Sequence, residues 1–368
     1  MKTYNPENER MKRAYRLWLK NAKGRSEATL DIAAAAIDRF DEHNKFRDFK
    51  TFRLEHAISF KDHLANGRRR STGKPLSKAT LYGTLKAVQA FFVWLSREPG
   101  YRRYVNEADA AYFRPNDNDA RIATARRDRH APSLVQVQHV IGAMPTATVT
   151  ERRDRALVAL ILLTGARDMA VASLKVKHLD LGSRVLFQDS REVKTKRAKT
   201  FKTWFFPAGD DAVEALTAWH AELTRVLLFG PDDPLFPATE VGLNAAGLFA
   251  PTGVRREHWA SAAPIREAFR KAFEGAGLPY YGPHSLRRTL VSIAYDLKLG
   301  PRELKAWSQN LGHESILTTL GSYGGLSERE QSEVMAGLAT RLGDAAGEGG
   351  DVKLLLRKAL AAMDGGAK

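Results

Sequence analysis

In the stretch PHSLRRTLVSIAYDL, His284 and Arg287 stand three residues apart, while Leu286, Leu290, Ile293 and Leu297 recur at helical spacing. At about 100° per residue the leucines and isoleucine form one face, and His284, Arg287 and Arg288 fall together on the other. One turn of such a helix offers an imidazole, which can move a proton, beside guanidinium groups, which can neutralise an oxyanion. Taken alone this is equally a solvated basic face. Arg167, in LLTGARDMAVASL, lies where one apolar helix ends at Thr164-Gly165 and another follows; a structural ion pair would explain it as well. Lys194 opens the basic run of REVKTKRAKTFK, a turn between two predicted strands, with Lys196 and Lys199 close by. His313 follows Gly312, a natural residue to end the helix predicted over 302–311. Ten residues later Tyr323 sits in a break marked by Gly321, Gly324 and Gly325, before a capping box at Ser327 and Glu330.

Other chemistries are disfavoured by residue type. GRRRSTGK, residues 67–74, has five residues between its glycines and Pro75 where a phosphate loop needs Ser or Thr. No His-Glu-x-x-His or clustered carboxylate set is present, and His56 and His63 read as helix-surface residues, so no metal is expected. The chain has no cysteine, which removes disulfides, thiolate zinc sites and thiol nucleophiles. Lys and Arg number 58 against 42 Asp and Glu, a formal charge of +16 with basic clusters at Arg68–Arg70, Arg126–Arg129 and Lys194–Lys202. That balance favours a polyanionic partner, and nucleic acid over membrane, which usually needs a basic amphipathic helix with a continuous apolar face or a lipid anchor; no lipidation motif is evident at either end. The longest apolar run, Ala156 to Leu163, is far short of the roughly 20 residues that span a bilayer. A cytoplasmic, nucleoid-associated protein is expected.

In order along the chain stand Arg167 in Thr-Gly-x-Arg, Lys194 in a strand turn, His284 and Arg287 in His-x-Leu-Arg, His313 in Leu-Gly-His, and Tyr323. In this order and spacing the chain resembles the tyrosine recombinases of the phage-integrase family over residues 9 to about 340. Two features depart from the family pattern: Ala170 stands where an acidic residue is common, and the His313-to-Tyr323 interval is one residue longer than in chromosome-dimer resolvases. The resemblance implies that Tyr323 attacks phosphorus to give a 3′-phosphotyrosyl link. It implies that Arg167 and Arg287 clamp the nonbridging oxygens, His284 accepts the tyrosine proton, His313 hydrogen-bonds the phosphate and Lys194 protonates the departing 5′-oxygen. No cofactor is implied. The partners implied are double-stranded DNA with inverted half-sites and further copies of the chain, dimer to tetramer, acting through a Holliday junction. A type IB topoisomerase-like activity and a catalytically inactive DNA-binding regulator of the same fold are the alternatives.

These residues need a scaffold that brings them together. The spacing predicts a mainly α chain: a helical core-binding domain over 1–112, then an α+β catalytic domain over 133–342 with a small antiparallel sheet, the two forming a clamp around DNA. In the first domain, Leu30, Ala33, Ile37 and Phe40 mark one helix and Leu81, Leu85, Val88, Phe92 and Leu95 another, capped by Ser77. Phe91 and Trp94 fall within that repeat and read as core. The polar, arginine-rich segment 113–132 reads as an interdomain linker, with Arg126, Arg127 and Arg129 as phosphate contacts and Lys78 and Arg288 as further DNA contacts. In the second domain, helices are expected over 134–144, 152–163, 210–225, 264–275, 284–298, 302–311 and 328–341, with strands over 184–188 and 202–207. A glycine-rich tether and a short amphipathic helix over 351–363 end the chain and are expected to dock on a neighbouring protomer.

Overall fold

The computed structural model describes residues 4–68, 73–125, 130–243, 247–320 and 331–337. The chain divides into two compact units, residues 1–127 and 128–368.

The first unit is helical: α1 (Pro6–Asn21), α2 (Glu27–His43), α3 (Leu54–Ala65), α4 (Lys78–Leu95), and the shorter α5 (Glu107–Ala110) and α6 (Asp117–Thr124). The Ser77 hydroxyl accepts from the Thr80 amide and starts α4 as expected. All the apolar positions read as core in α2 and α4 are buried, Phe91 and Trp94 among them. The centre is aromatic. Phe40 meets Phe60, Phe92 and Phe113 edge-to-face at centroid separations of 5.2, 5.0 and 5.6 Å, an arrangement that sets ring edges against ring faces. Asn8, fully buried, joins α1 to α2 and the following loop: its amide donates to Asp41 Oδ1 and the Arg47 carbonyl, and its oxygen accepts from the Phe49 amide. His56 and His63 lie on α3, His63 exposed.

Part of the segment read as a linker belongs to this unit. Phe113 is fully buried, and α6 forms because Asn116 caps the Asp119 amide and Asp119 pairs with Lys78 of α4 at 2.7 Å. Its composition gave no apolar stripe because the helix buries none of its residues. Lys78, expected to contact DNA, is thus already paired with a carboxylate. Arg126, Arg127 and Arg129 lie outside the described residues.

In the second unit α7 (Leu134–Ala143), α8 (Val149–Thr164), α10 (Asp210–Ala221), α11 (Ala263–Gly275) and α12 (Pro283–Asp296) surround one core, with the short α9 (Asp168–Val171) directly after α8. Every residue of α8 from Ala156 to Thr164 is buried, which marks it as the central helix. A three-stranded antiparallel sheet, order β1 (Leu179–Asp180), β2 (Val185–Gln188), β3 (Phe201–Trp204), lies beside it in register Val185↔Trp204 to Gln188↔Phe201. A hairpin not anticipated from the sequence, β4 (Ala238–Leu243) with β5 (Phe249–Arg255), stands apart from that sheet. Its glycines, Pro251 and a register shift at Glu240/Val241 interrupt the alternation by which strands are recognised. Beyond α12, α13 (Pro301–Asn310) leads through a turn into α14 (Ile316–Leu320), and residues 331–337 are helical. Among the described residues no helix is long and apolar enough to cross a membrane.

Candidate active site

Two glycines fix the backbone around the site. Gly165 ends α8 in the left-handed region, φ +60°, its amide donating to the Ile161 carbonyl. A Cβ there would lie 2.8 Å from Leu311 Cδ2 and 3.1 Å from Leu290 Cδ1, so only glycine lets α12 and the end of α13 come this close. Gly312, φ +70°, ends α13: its amide donates to Gln309 O and the next amide, of His313, to Ser308 O, a Schellman turn. A Cβ on Gly312 would meet the Phe201 ring at 2.8 Å, so the turn is pressed against the start of β3. The Asn310 side chain holds the same junction, its oxygen accepting from the Trp204 amide and its nitrogen donating to the Trp204 carbonyl, each at 2.8 Å.

Within this frame Arg287, His313 and Arg167 converge. Arg287 is 5% exposed, inside the unit rather than on a solvated face of α12. Its guanidinium donates to the Gly165 carbonyl, to the Leu311 carbonyl at 2.6 Å and to His313 Nε2 at 2.9 Å. Burial, and then the nearby Arg167, push Arg287 down to about 9, so it stays charged at neutral pH. Arg167 precedes α9 and is half-buried, which lowers its pKa by desolvation. Burial first, then Arg287, Arg167, His284 and Lys199, hold the His313 imidazole down at about 4, neutral at pH 7. His284 is exposed in the first turn of α12, and Arg288 is half-buried in the same helix. Leu297, read with the apolar face, is exposed just past the helix end.

Among the described residues no carboxylate lies within ion-pair distance of Arg167 or Arg287. Asp168, next to Arg167, pairs with Arg266 at 2.8 Å, and Glu314, on the rim, pairs with Arg197 at 2.7 Å. Ala170, at the position that is commonly acidic, is buried. Like charges held together without a counter-ion destabilise a free protein and favour a bound anion. Arg167 and His313, though not the buried Arg287, line a cavity of about 240 Å³ together with Lys196, Lys199, Phe201, Glu314 and Ser315. No group of three or more His, Cys, Asp or Glu suited to a metal occurs among the described residues.

Lys194 is not among the residues lining that cavity. Its amide donates to Ser173 Oγ, and its charge contributes to the depressed pKa of His258 rather than of His313. The lysine on the His313 side is Lys199, whose ammonium lies 5.8 Å from the centroid of Phe201, the ring packed on Gly312. Its position just before β3, rather than just after β2, was the available signal. Sequence reasoning also passed over Thr319 and Ser308, whose hydroxyls link to His313; nothing in the helical spacing distinguished them. Tyr323 and the capping box at Ser327 lie outside the described residues, as does the segment over 343–368.

Two solved structures share this fold. A lambda integrase fragment, solved as a dimer bound to a COC′ core site, matches at TM-score 0.57 and 15% identity over 87% of this chain and 96% of that one. A XerH site-specific recombinase bound to palindromic difH substrate, a post-cleavage complex, matches at TM-score 0.54 and 18% identity, over 86% and 82%. The chain belongs to the phage integrase family, whose profile matches residues 134–329. Among curated relatives, tyrosine recombinase XerC of Mycobacterium tuberculosis is 27% identical over 256 residues, 68% of this chain and 73% of the relative. Tyrosine recombinase XerD of Corynebacterium glutamicum is 30% identical over 210 residues, 55% of this chain and 60% of the relative.

Proposed function

We propose that the chain is a tyrosine site-specific recombinase that cuts and rejoins DNA strands through a 3′-phosphotyrosyl intermediate. The observation that carries this reading is the convergence of Arg167, Arg287 and His313 with no carboxylate neutralising the arginines among the described residues. Cleaving a phosphodiester needs a nucleophile, neutralisation of the charge that builds on the phosphorane oxygens, and an acid for the leaving oxygen. Arg167 and Arg287 supply the neutralisation, and Arg287 is preorganised because two backbone carbonyls hold it before any substrate arrives. His313 Nε2 accepts from Arg287 and so holds that guanidinium towards the phosphate. His284 accepts the proton of Tyr323, which attacks phosphorus, and the 5′-oxygen leaves protonated. Lys199, rather than Lys194, is the acid for that oxygen, because it lines the same cavity as Arg167 and His313, as Lys196 also does, and its charge acts on His313. The phosphotyrosyl bond conserves the phosphodiester energy, so a 5′-hydroxyl from a second duplex reverses the attack without ATP. Strand exchange between two sites in turn calls for assembly of dimers into a tetramer on inverted half-sites.

The test is a nicked suicide substrate incubated with the full chain in EDTA. The wild type is expected to be trapped as a covalent protein–DNA adduct, and Tyr323→Phe to bind the same DNA without forming one. An undiminished adduct in Tyr323→Phe would remove the assignment.

A further inference from the structure

His313 is held by a chain of hydrogen bonds whose direction follows from the chemistry of its first donor. A guanidinium only donates, so the 2.9 Å contact from Arg287 to His313 Nε2 makes Nε2 the acceptor. In a neutral imidazole the proton then sits on Nδ1. Nδ1 lies 2.8 Å from Thr319 Oγ1, which must accept there, and the Thr319 hydroxyl in turn donates to Ser308 Oγ, also at 2.8 Å. Thr319 and Ser308 are 0% and 2% exposed, so water does not compete for these bonds. Ser308 anchors the histidine twice, since its carbonyl also accepts the His313 amide in the Schellman turn. The ring is thus fixed at its backbone by α13 and at its far nitrogen by α14.

We propose that Thr319, backed by Ser308, is a positioning residue that, by accepting from Nδ1–H, keeps His313 Nε2 the acceptor for Arg287 and so holds that guanidinium where the phosphate binds. The inference rests on the phosphate-binding role given to this cluster above. Without the Thr319 hydroxyl, Nδ1–H would be a buried donor with no acceptor, and the ring would turn or change tautomer to recover one. The hydroxyl also ties His313 to α14.

The test uses the full chain labelled with 15N-histidine, free of DNA, and the suicide substrate in single turnover. In the wild type the His313 nitrogens are expected to show the proton on Nδ1. Thr319→Val keeps the shape and removes the hydroxyl: it is expected to lose that preference and to cleave on the order of 10- to 100-fold more slowly, the cost of a misplaced reacting group, with half-site binding unchanged. Thr319→Ser restores the hydroxyl and is expected to recover both signals. If Thr319→Val does not fold, Ser308→Ala carries the same test, since it strips Thr319 of its acceptor. A wild-type protein with the proton on Nε2, or a folded valine or alanine variant with wild-type tautomer and rate, overturns the proposal. The tautomer is read without DNA, so its failure is distinguishable from failure of the recombinase reading, which the adduct reports.

Discussion

At the residue scale, three groups make the site a trap for an anion. The arginines carry no carboxylate partner among the described residues, and His313 is held neutral by its burial first and by them second. Arg167→Ala is therefore expected to slow cleavage by roughly 10²- to 10³-fold, as for loss of one oxyanion donor, yet to leave the free protein at least as stable in acid. The sign follows from linkage. The folded pKa of His313, about 4, lies below its ordinary 6.5, so the unfolded chain binds the extra proton first and wild-type stability falls as pH drops from about 6.5 towards 4. Removing Arg167 raises that folded pKa and narrows the window, which melting temperatures across this pH range would report. For the lysine, Lys199→Ala is expected to slow cleavage of a normal 5′-oxygen and to be rescued by a 5′-bridging phosphorothiolate, whose sulfur leaves without a proton. Rescue in Lys194→Ala instead would return the role to the position first read from the sequence.

At the element scale, the site is a junction of four helix ends and one strand rather than a face of any single helix. The turn from α8 into α9 supplies Gly165 and Arg167, α12 supplies His284 and Arg287, the turn after α13 supplies His313, and Thr319 of α14 holds it; Phe201 of β3 and the Asn310 clip to Trp204 back them. Close approach at Gly165 is what lets Arg287 reach two carbonyls. Gly165→Ala is expected to destabilise the protein by about 2–4 kcal/mol, from the left-handed backbone and from overpacking against Leu311 and Leu290. Denaturant titration with an unchanged m-value would verify it. A loss under about 0.5 kcal/mol would mean that α12 and α13 can retreat, and that the packing is looser than the distances imply.

At the scale of the whole molecule, charge decides the encounter. With +16 overall, the logarithm of DNA affinity is expected to fall linearly with the logarithm of salt, at a slope near −0.9 per neutralised phosphate. Fluorescence anisotropy on a duplex half-site from about 50 to 200 mM salt measures it, and a slope near zero would argue against a polyanionic partner. The ion pairs within the units temper how the charge is used. Lys78 is paired with Asp119, Arg266 with Asp168 and Arg197 with Glu314, so a tally of basic residues overstates what is left for phosphate.

The sequence by itself determined the types and order of the candidate site residues and the two helical repeats that build the first unit's core, because residue order, helical periodicity and glycine stops are local properties of the chain. Gly165 and Gly312 were legible as helix ends, and α2 and α4 as amphipathic helices, for that reason. Only the tertiary structure decided that Arg287 is buried while its neighbour His284 is exposed, since helical spacing gives a face but not what packs on it. It alone distinguished Lys199 from Lys194: both belong to one basic run, and only the fold of residues 189–200 between β2 and β3 directs one towards His313 and the other towards His258. The Thr319–Ser308 link to His313 was illegible for the same reason. Its members come from different helices, and a hydrogen bond between their side chains depends on how the chain turns at Gly312, not on any spacing within a helix.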